Sequence, residues 1–281
     1  MHKSKGWKIV SIVILLLTFI FVTIPLYWVV SVALRPSSNL FTMRIIPSNI
    51  TLKNFEDLLT SNNWGGFQSV SFIVPLKNSI IVASLATLIG VTLSIFAGYG
   101  LARIKFKRKS LMSGFILFSY TLPPFVLVIA LYDILTSVNL INSLAGLILV
   151  YMLIVVPYST WTLKGYFSGI PRELEDAARV DGASRIGTLF RVILPSAAPG
   201  VASVAIFSFT LSWGELLFAM TFLNSYNKFT LAVALRTMVV GDFLNWGNLM
   251  AGVIISMLPP LVLYLILQKF VVQGLTAGAI K

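Results

Sequence analysis

The sequence contains no cysteine, a single histidine and few charged residues. Of its 281 residues, 11% are charged and 57% are hydrophobic, whereas soluble domains average about 25% and about 45–50%. The lack of cysteine excludes disulfides, thiolate metal sites and a cysteine nucleophile, and His2 alone cannot form a histidine metal cluster. We therefore expect no catalytic residue and no metal site in this chain, and the composition excludes a soluble globule.

Long uncharged apolar stretches indicate helices that cross a membrane. Such a helix needs about 20 apolar residues, and it must satisfy its own backbone groups where water is absent. Six stretches qualify, at about residues 9–34, 78–102, 110–132, 143–163, 192–222 and 246–268. The first is too long for the apolar core of a signal peptide, so we expect it to remain in the mature protein. The predicted fold is an all-α membrane protein with six transmembrane helices in a single domain over residues 1–281.

The basic residues are concentrated on one side of the predicted membrane. The N-terminus carries three, the loop 103–109 five, the loop 164–191 five and the C-terminal tail two, whereas the other side carries six. Cytoplasmic loops carry the excess of Lys and Arg in membrane proteins, so both termini are predicted to be cytoplasmic. The net charge of +12 is then a signal of topology, and we expect no nucleic-acid partner.

Two segments on the opposite side are expected to be short helices. Thr51 can cap a one-sided helix that carries apolar residues at Leu52, Phe55, Leu58 and Leu59. This helix either covers the rim of the protein itself or docks an external partner. The segment 229–238 is apolar but too short to cross, so we predict a re-entrant or interfacial piece.

The loop between the fourth and fifth predicted spans contains four of the nine acidic residues. Pro171 suits the first position of a helix, because its missing N–H would be unpaired there anyway. Glu173, Glu175 and Asp176 then fall in the early turns, where the helix dipole favours negative charge. Gly182 is suited to end this helix.

Ser184 can cap a second short helix that runs toward Pro195 and the fifth span. The loop therefore predicts a helix, a break and a second helix.

The first of these helices has a face of small side chains. Its positions i, i+3, i+4 and i+7 are Leu174, Ala177, Ala178 and Asp181. A face of alanines permits close approach to a groove in a partner protein. The alternative is an amphipathic helix lying on lipid headgroups, for which large apolar residues are typical.

The segment 171–195, PRELEDAARVDGASRIGTLFRVILP, resembles the EAA loop of the permeases of binding-protein-dependent ABC importers. The triplet corresponds to Asp176-Ala177-Ala178, with Asp in place of the usual first Glu, and it is followed by Gly182 and by Ile193-Leu194-Pro195. Further stretches resemble the maltose and multiple-sugar branch of these permeases. They are Asn78-Ser79, the segment AGYGLAR at 97–103, Leu122-Pro123-Pro124, the tail 273–281, and Trp213-Gly214-Glu215, in which Gly replaces the Asn of a Trp-Asn-Glu pattern.

The resemblance implies a type I ABC importer permease that takes up sugars. It implies a second permease subunit, two ATP-binding subunits and an extracytoplasmic solute-binding protein as partners, with the loop 168–191 as a cytoplasmic coupling helix gripped by an ATPase. ATP and Mg would be bound by the partner subunits, and this chain indeed contains no G-x-x-x-x-G-K-[ST] phosphate-binding loop. The expected ATPase-coupling residues are Leu174, Asp176, Ala177, Ala178, Asp181, Gly182 and Arg185.

Glu215 is the clearest charged residue within or near a predicted span. An intramembrane carboxylate is costly, so we expect it to face a partner or water. It forms a salt bridge with the second permease, or it lines the sugar path together with Trp213, whose ring can stack on a sugar.

Pro123, Pro124, Pro259 and Pro260 are expected to kink the third and sixth spans.

Two other classes of function remain open from the residues alone. One is a proton- or sodium-coupled secondary transporter that works without partners, which normally needs coupling carboxylates at mid-membrane. The other is a membrane assembly factor with no transport role.

Overall fold

The structure, a computed structural model, describes residues 5–36, 49–60, 71–239 and 245–277, and every regular element in these ranges is helical. His2, Lys3, Arg44 and residues 278–281 lie outside them. The helices are α1 (Lys5–Ala33), α2 (Lys53–Thr60), α3 (Ile73–Arg103), α4 (Lys109–Thr121), α5 (Pro124–Ser137), α6 (Leu144–Gly169), α7 (Glu173–Val180), α8 (Arg185–Thr188), α9 (Leu194–Ser196), α10 (Ala198–Gly214), α11 (Leu217–Phe222), α12 (Leu231–Met238) and α13 (Trp246–Ala277). A π-helical turn, Leu189–Ile193, joins α8 to α9, and a 3₁₀ turn, Tyr226–Lys228, precedes α12.

Four of the described helices are long and apolar enough to cross a membrane, in α1, α3, α6 and α13. Two bent pairs, α4 with α5 and the segment 185–196 with α10, bring the number to as many as six. The predicted all-α membrane fold is confirmed. Helix α12 coincides with the short segment predicted at 229–238, and its eight residues cannot cross the hydrocarbon layer.

The segment predicted as the third span is divided into two helices that meet at 97°. Leu122 has extended backbone angles because the following proline disfavours a helical conformation there. Pro124 then opens α5 at a position where its missing N–H costs nothing. The predicted kink is confirmed at this pair, whereas α13 continues as one helix through Pro259 and Pro260.

The segment predicted as one continuous fifth span, 192–222, is also interrupted. The chain bends by 80° between the segment 185–196 and α10. It leaves the helical conformation again at Glu215 before α11 begins. The prediction of an uninterrupted helix is therefore wrong here. The second break lies where the Glu215 carboxylate caps α11.

The described residues fall into two compact units, one drawn from 1–73 and 234–257 and the other from 74–233 and 258–281. In the first unit, the side-chain amide of Asn54 on α2 donates to the backbone oxygens of Ala33 at 2.7 Å and Arg35 at 2.8 Å. Thr51 accepts from the N–H of Lys53 at 3.1 Å, and it lies one residue before the N-cap position, which Leu52 occupies because α2 begins at Lys53. Leu58 is fully buried.

Small residues allow close helix packing in the second unit. A Cβ added at Gly90 of α3 would lie 2.6 Å from the Val155 side chain of α6, and one added at Gly98 would lie 3.2 Å from the Leu163 Cβ. Glycines at such contacts let helix backbones approach closely, which is typical of membrane proteins. These two positions fix α3 against α6.

The N-terminal end of α3 is tied to the segment 227–231. Asn78 donates to the backbone oxygens of Asn227 at 3.0 Å and Phe229 at 2.9 Å, and the Ser79 hydroxyl accepts from the N–H of Leu231 at 2.7 Å. The Asn-Ser pair thus satisfies backbone groups of an irregular segment. The C-terminal end of α3 lies at the loop between α6 and α10.

The α7 loop as a candidate coupling site

Helix α7 begins at Glu173, two residues later than the sequence predicts. Arg172 is the residue before the helix, and its backbone oxygen accepts from the N–H groups of Glu175 at 2.9 Å and Asp176 at 3.0 Å. Pro171 therefore precedes the cap and is not the first helical residue. Helix ends are commonly misplaced by one or two residues.

The end of α7 forms a complete glycine cap. Gly182 has a φ of +82°, its N–H donates to the oxygen of Arg179 at 3.0 Å, and the N–H of Ala183 donates to the oxygen of Ala178 at 2.9 Å. This pair of bonds with a left-handed glycine defines a Schellman motif. No atom outside the immediate backbone lies within 4 Å of an added Cβ, so only the backbone conformation requires glycine here.

Ser184 caps α8 as predicted, because its hydroxyl accepts from the N–H of Gly187 at 3.1 Å. The π-helical turn Leu189–Ile193 follows immediately. Its Leu189 and Ile193 are buried with Phe167 and Leu163 of α6 in one apolar cluster. The helix, break, helix order predicted for the loop is present.

Six of the seven predicted coupling residues lie on α7 and its glycine cap, and the seventh, Arg185, begins α8. Leu174 is 46% exposed, Ala178 is partly buried, and the remaining five are exposed, namely Asp176, Ala177, Asp181, Gly182 and Arg185. Two apolar side chains of the same loop, Val180 at 88% and Ile186 at 65%, are also exposed. Neither residue was predicted from the sequence, although exposed apolar residues in a charged loop are a signal that could have indicated them.

A buried ion pair fastens α7 to the end of α3. The Nε of Arg103 pairs with Oε1 of Glu175, and the two side chains are only 7% and 5% exposed. Tyr99 donates from its hydroxyl to Oε2 of Glu175 at 3.3 Å. Arg103 also donates through Nη2 to the backbone oxygen of Ile170 at 2.7 Å. We call this set of four residues the clamp.

The clamp was not predicted from the sequence. Glu175 was interpreted only as an acid that favours a helix start, yet it is the buried acid of α7. A signal was available, because Tyr99 and Arg103 are spaced i and i+4 in the segment 97–103 and so share one face of α3. A tyrosine and an arginine on one face indicate a carboxylate partner.

Glu215 has partners within its own chain. Its Oε1 accepts from the N–H of Phe218 at 3.0 Å and its Oε2 from the N–H of Ala219 at 3.2 Å. These are first-turn N–H groups of α11, which have no intrahelical acceptor. The carboxylate therefore caps α11 and causes the break after α10. This role was not among the two that the sequence suggested.

Trp213 lies two residues before Glu215, near the end of α10, and is 8% exposed. Its ring stacks on Phe209, with centroids 5.6 Å apart and planes at 16°. The structure therefore places Trp213 in an aromatic pair beside the break at Glu215.

The described helices form a multi-span membrane protein in which one loop helix, α7, is exposed and held by the clamp. This architecture suits a membrane component that works with other subunits. The chain belongs to the family described as binding-protein-dependent transport system inner membrane component, whose sequence model matches residues 90–277. It is thus a permease subunit of an ABC importer, a transport component of the membrane. Membership of this family rules out the secondary transporter that works alone and the assembly factor without a transport role.

Similar proteins include sugar permeases. The diacetylchitobiose uptake system permease protein DasC of Streptomyces coelicolor is 34% identical over 99% of this chain and 98% of that protein. The trehalose/maltose transport system permease protein MalG of Thermococcus litoralis is 35% identical, over 100% and 99%. The sulfoquinovosyl glycerol transport system permease protein SmoH of Agrobacterium fabrum is 34% identical, over 99% and 95%.

Solved structures share the fold. A chain of a bacterial ABC transporter involved in the import of the acidic polysaccharide alginate superposes with a TM-score of 0.78 at 19% identity, covering 96% of this chain and 99% of that one. A chain of the MetNI methionine ABC transporter gives 0.57 at 15% identity, covering 77% and 96%.

Proposed function

We propose that this chain forms half of the translocation path of an ATP-driven importer of sugars or sugar-like solutes. The names of the full-length relatives support the substrate class. The observation that carries the coupling role is the exposed face of α7, held by the buried clamp to a long apolar helix. A helix that is both exposed to a partner and fixed to a span is suited to transmit force.

In this proposal an ATPase subunit binds the α7 loop. Leu174, Ala177 and Ala178 provide the apolar and small surface that enters a groove, and Val180 and Ile186 extend it. Asp176, Asp181 and Arg185 supply charges at its border. ATP and Mg are held by the ATPase subunits, which close on each other and displace α7.

The clamp then carries this displacement to α3. Glu175 and Arg103 are buried and hydrogen-bonded on both sides, so α7 cannot move without the end of α3. Packed interfaces change between discrete arrangements rather than bending gradually. The expected result is a rigid-body shift of α3 and α6 together, because the close contacts at Gly90 and Gly98 join them.

The assembly in this proposal has a second permease, two ATP-binding subunits and an extracytoplasmic solute-binding protein. Both termini and α7 are cytoplasmic, as the distribution of Lys and Arg favours. Trp213 and Glu215 are proposed to lie beside the solute path, since the backbone is irregular at Glu215 and irregular backbone at membrane depth lines a cavity or is covered by protein.

The substitution Gly182→Val tests the coupling role. Valine cannot adopt the left-handed conformation at low cost, so the Schellman cap opens and the α7 face is displaced. We expect the purified complex to keep the second permease and to lose ATPase subunits, together with solute-stimulated ATP hydrolysis.

Gly169→Val is the matched control, because Gly169 is exposed at the end of α6, has an ordinary φ and has open space around its Cα. Retention of the ATPase subunits and of solute-driven hydrolysis in Gly182→Val would refute the assignment. The solute is identified separately, by transport of labelled di- and trisaccharides into vesicles that contain the intact complex.

A further inference from the structure

A cavity of about 300 Å³ lies between the C-terminal end of α3 and the α7 loop. Its lining is strongly basic. The lining residues are Tyr99, Arg103, Ile104, Lys105, Arg179 and Arg185. Four cations thus meet around one concave space, and no carboxylate is among the lining residues that the structure describes.

Little of this positive charge is neutralised within the described part of the chain. Arg103 is paired with Glu175 of the clamp. Arg179 lies 3.9 Å from Asp176, but both side chains are largely exposed, and such surface pairs contribute little. Lys105 and Arg185 form no ion pair among the described residues. A concave site with one sign of charge concentrates counter-ions.

The donor set fits a phosphate group. Guanidinium groups present parallel N–H donors that match two phosphate oxygens, and a lysine adds a point charge. Arg103 is already oriented by its bonds to Glu175 and Ile170. A preorganised cation beside exposed ones is a favourable arrangement for an anion.

The position of the cavity favours a lipid as the source of the phosphate. It lies where the apolar helix α3 ends, and the adjoining non-helical residues Ile104 and Phe106 are 41% and 40% exposed. Apolar side chains next to cations are expected where acyl chains and headgroups meet. A free phosphate or nucleotide would make no use of Ile104 and Phe106.

We propose that this cavity binds the headgroup of an anionic phospholipid, with Lys105, Arg179 and Arg185 around the phosphate. The site borders the exposed face of α7 and shares Arg185 with the proposed coupling surface. A bound lipid would lie against Arg103 of the clamp, and so the composition of the membrane would influence the step that the clamp transmits.

The test measures lipid retained by the purified complex. The complex is delipidated in detergent, titrated with phosphatidylglycerol or phosphatidylcholine, and examined by native mass spectrometry. We expect one phosphatidylglycerol to be retained in preference to phosphatidylcholine. The double variant Lys105→Gln with Arg179→Gln should bind it about thirtyfold more weakly, because each basic residue near an anionic headgroup strengthens binding about fivefold.

Lys107→Gln with Arg108→Gln is the matched control, since it removes two positive charges from the basic segment 103–109 at positions outside the cavity lining. Equal losses in the two double variants would overturn the site. So would equal retention of the two lipids, or displacement of the lipid by inorganic phosphate at millimolar concentration, which would indicate a free-phosphate site. Loss of the ATPase subunits with unchanged lipid retention in Lys105→Gln with Arg179→Gln would instead identify an acidic protein partner and refute the proposal.

Discussion

Glu175 and Asp176 are adjacent acids on α7 with opposite environments. Glu175 is 5% exposed and pairs with Arg103, whereas Asp176 is 71% exposed. One acid holds the helix to the protein and the other is available to a partner. This difference in exposure follows from the helical period, because the side chains of neighbouring residues point about 100° apart.

We expect a small change in the clamp to lower the stability of the protein strongly. In Glu175→Gln the guanidinium of Arg103 stays buried without a counter-charge, and breaking a buried pair in this way costs on the order of 3 kcal/mol. We expect the purified complex to unfold at a lower temperature. Adding Arg103→Met to Glu175→Gln should recover part of the loss, because the unpaired charge is then removed as well.

Glu173→Gln provides the control, since it makes the same isosteric change at an exposed position of α7. If Glu173→Gln and Glu175→Gln lower the unfolding temperature equally, the clamp contributes nothing specific. A double-mutant cycle over Glu175 and Arg103 isolates the interaction from the effect of each residue alone.

For individual residues, the sequence predicted the roles of exposed positions better than those of buried ones. The positions of Gly182 and Ser184 were predicted correctly because their roles are local and depend on the backbone within a few residues. The partner of Glu175 lies 72 positions away at Arg103. No local pattern specifies which of the acids of α7 turns inward.

The apolar elements were predicted well, whereas their interruptions were predicted only where proline causes them. Leu122-Pro123-Pro124 breaks the third span as expected, because proline acts on the backbone directly. The break at Glu215 was missed because a carboxylate that caps a new helix has no distinctive spacing in an apolar segment. Conversely, Pro259 and Pro260 leave α13 continuous.

The two oxygens of Glu215 give a test that separates its possible roles. As a cap of α11, Glu215→Gln keeps one of the two oxygen acceptors and should be the milder change, whereas Glu215→Ala leaves the N–H groups of Phe218 and Ala219 without either acceptor. Loss of such a cap costs about 1 kcal/mol. We expect the thermal stability of the complex to fall in the alanine variant and to change little in the glutamine variant.

If Glu215 instead forms a salt bridge with the second permease, Glu215→Gln should be as damaging as Glu215→Ala, because glutamine also removes the charge and the bridge. The yield of the second permease in purified complex should then fall equally in both variants. If it does, capping is not the function of this carboxylate.

Across the larger unit, the charges are divided between the two ends of α3. The end at Arg103 lies with the basic segment 103–109 and the α7 loop, whereas the end at Asn78 lies with the residues 227–231, where Lys228 is the basic residue. The positive-inside rule favours the proposed cytoplasmic position of the Arg103 end. The sequence predicted this partition because charge counts depend on composition and not on packing.

The absence of cysteine from the chain allows a direct measurement of this orientation. Lys107→Cys and Asn227→Cys each introduce a single thiol at an exposed position. In intact cells, a membrane-impermeant maleimide should label Asn227→Cys and leave Lys107→Cys unlabelled until the membrane is opened. The reverse pattern would invert the proposed topology.

The length of α3 has a mechanical consequence for the clamp. A helix of 31 residues is about 45 Å long at about 1.5 Å per residue. If the clamp makes α3 a lever, a tilt of roughly 5° about one end moves the other by about 4 Å. A displacement of this size exceeds the length of a hydrogen bond. A small displacement of α7 would then be enough to break the hydrogen bonds from Asn78 to two backbone carbonyl groups at the far end of α3.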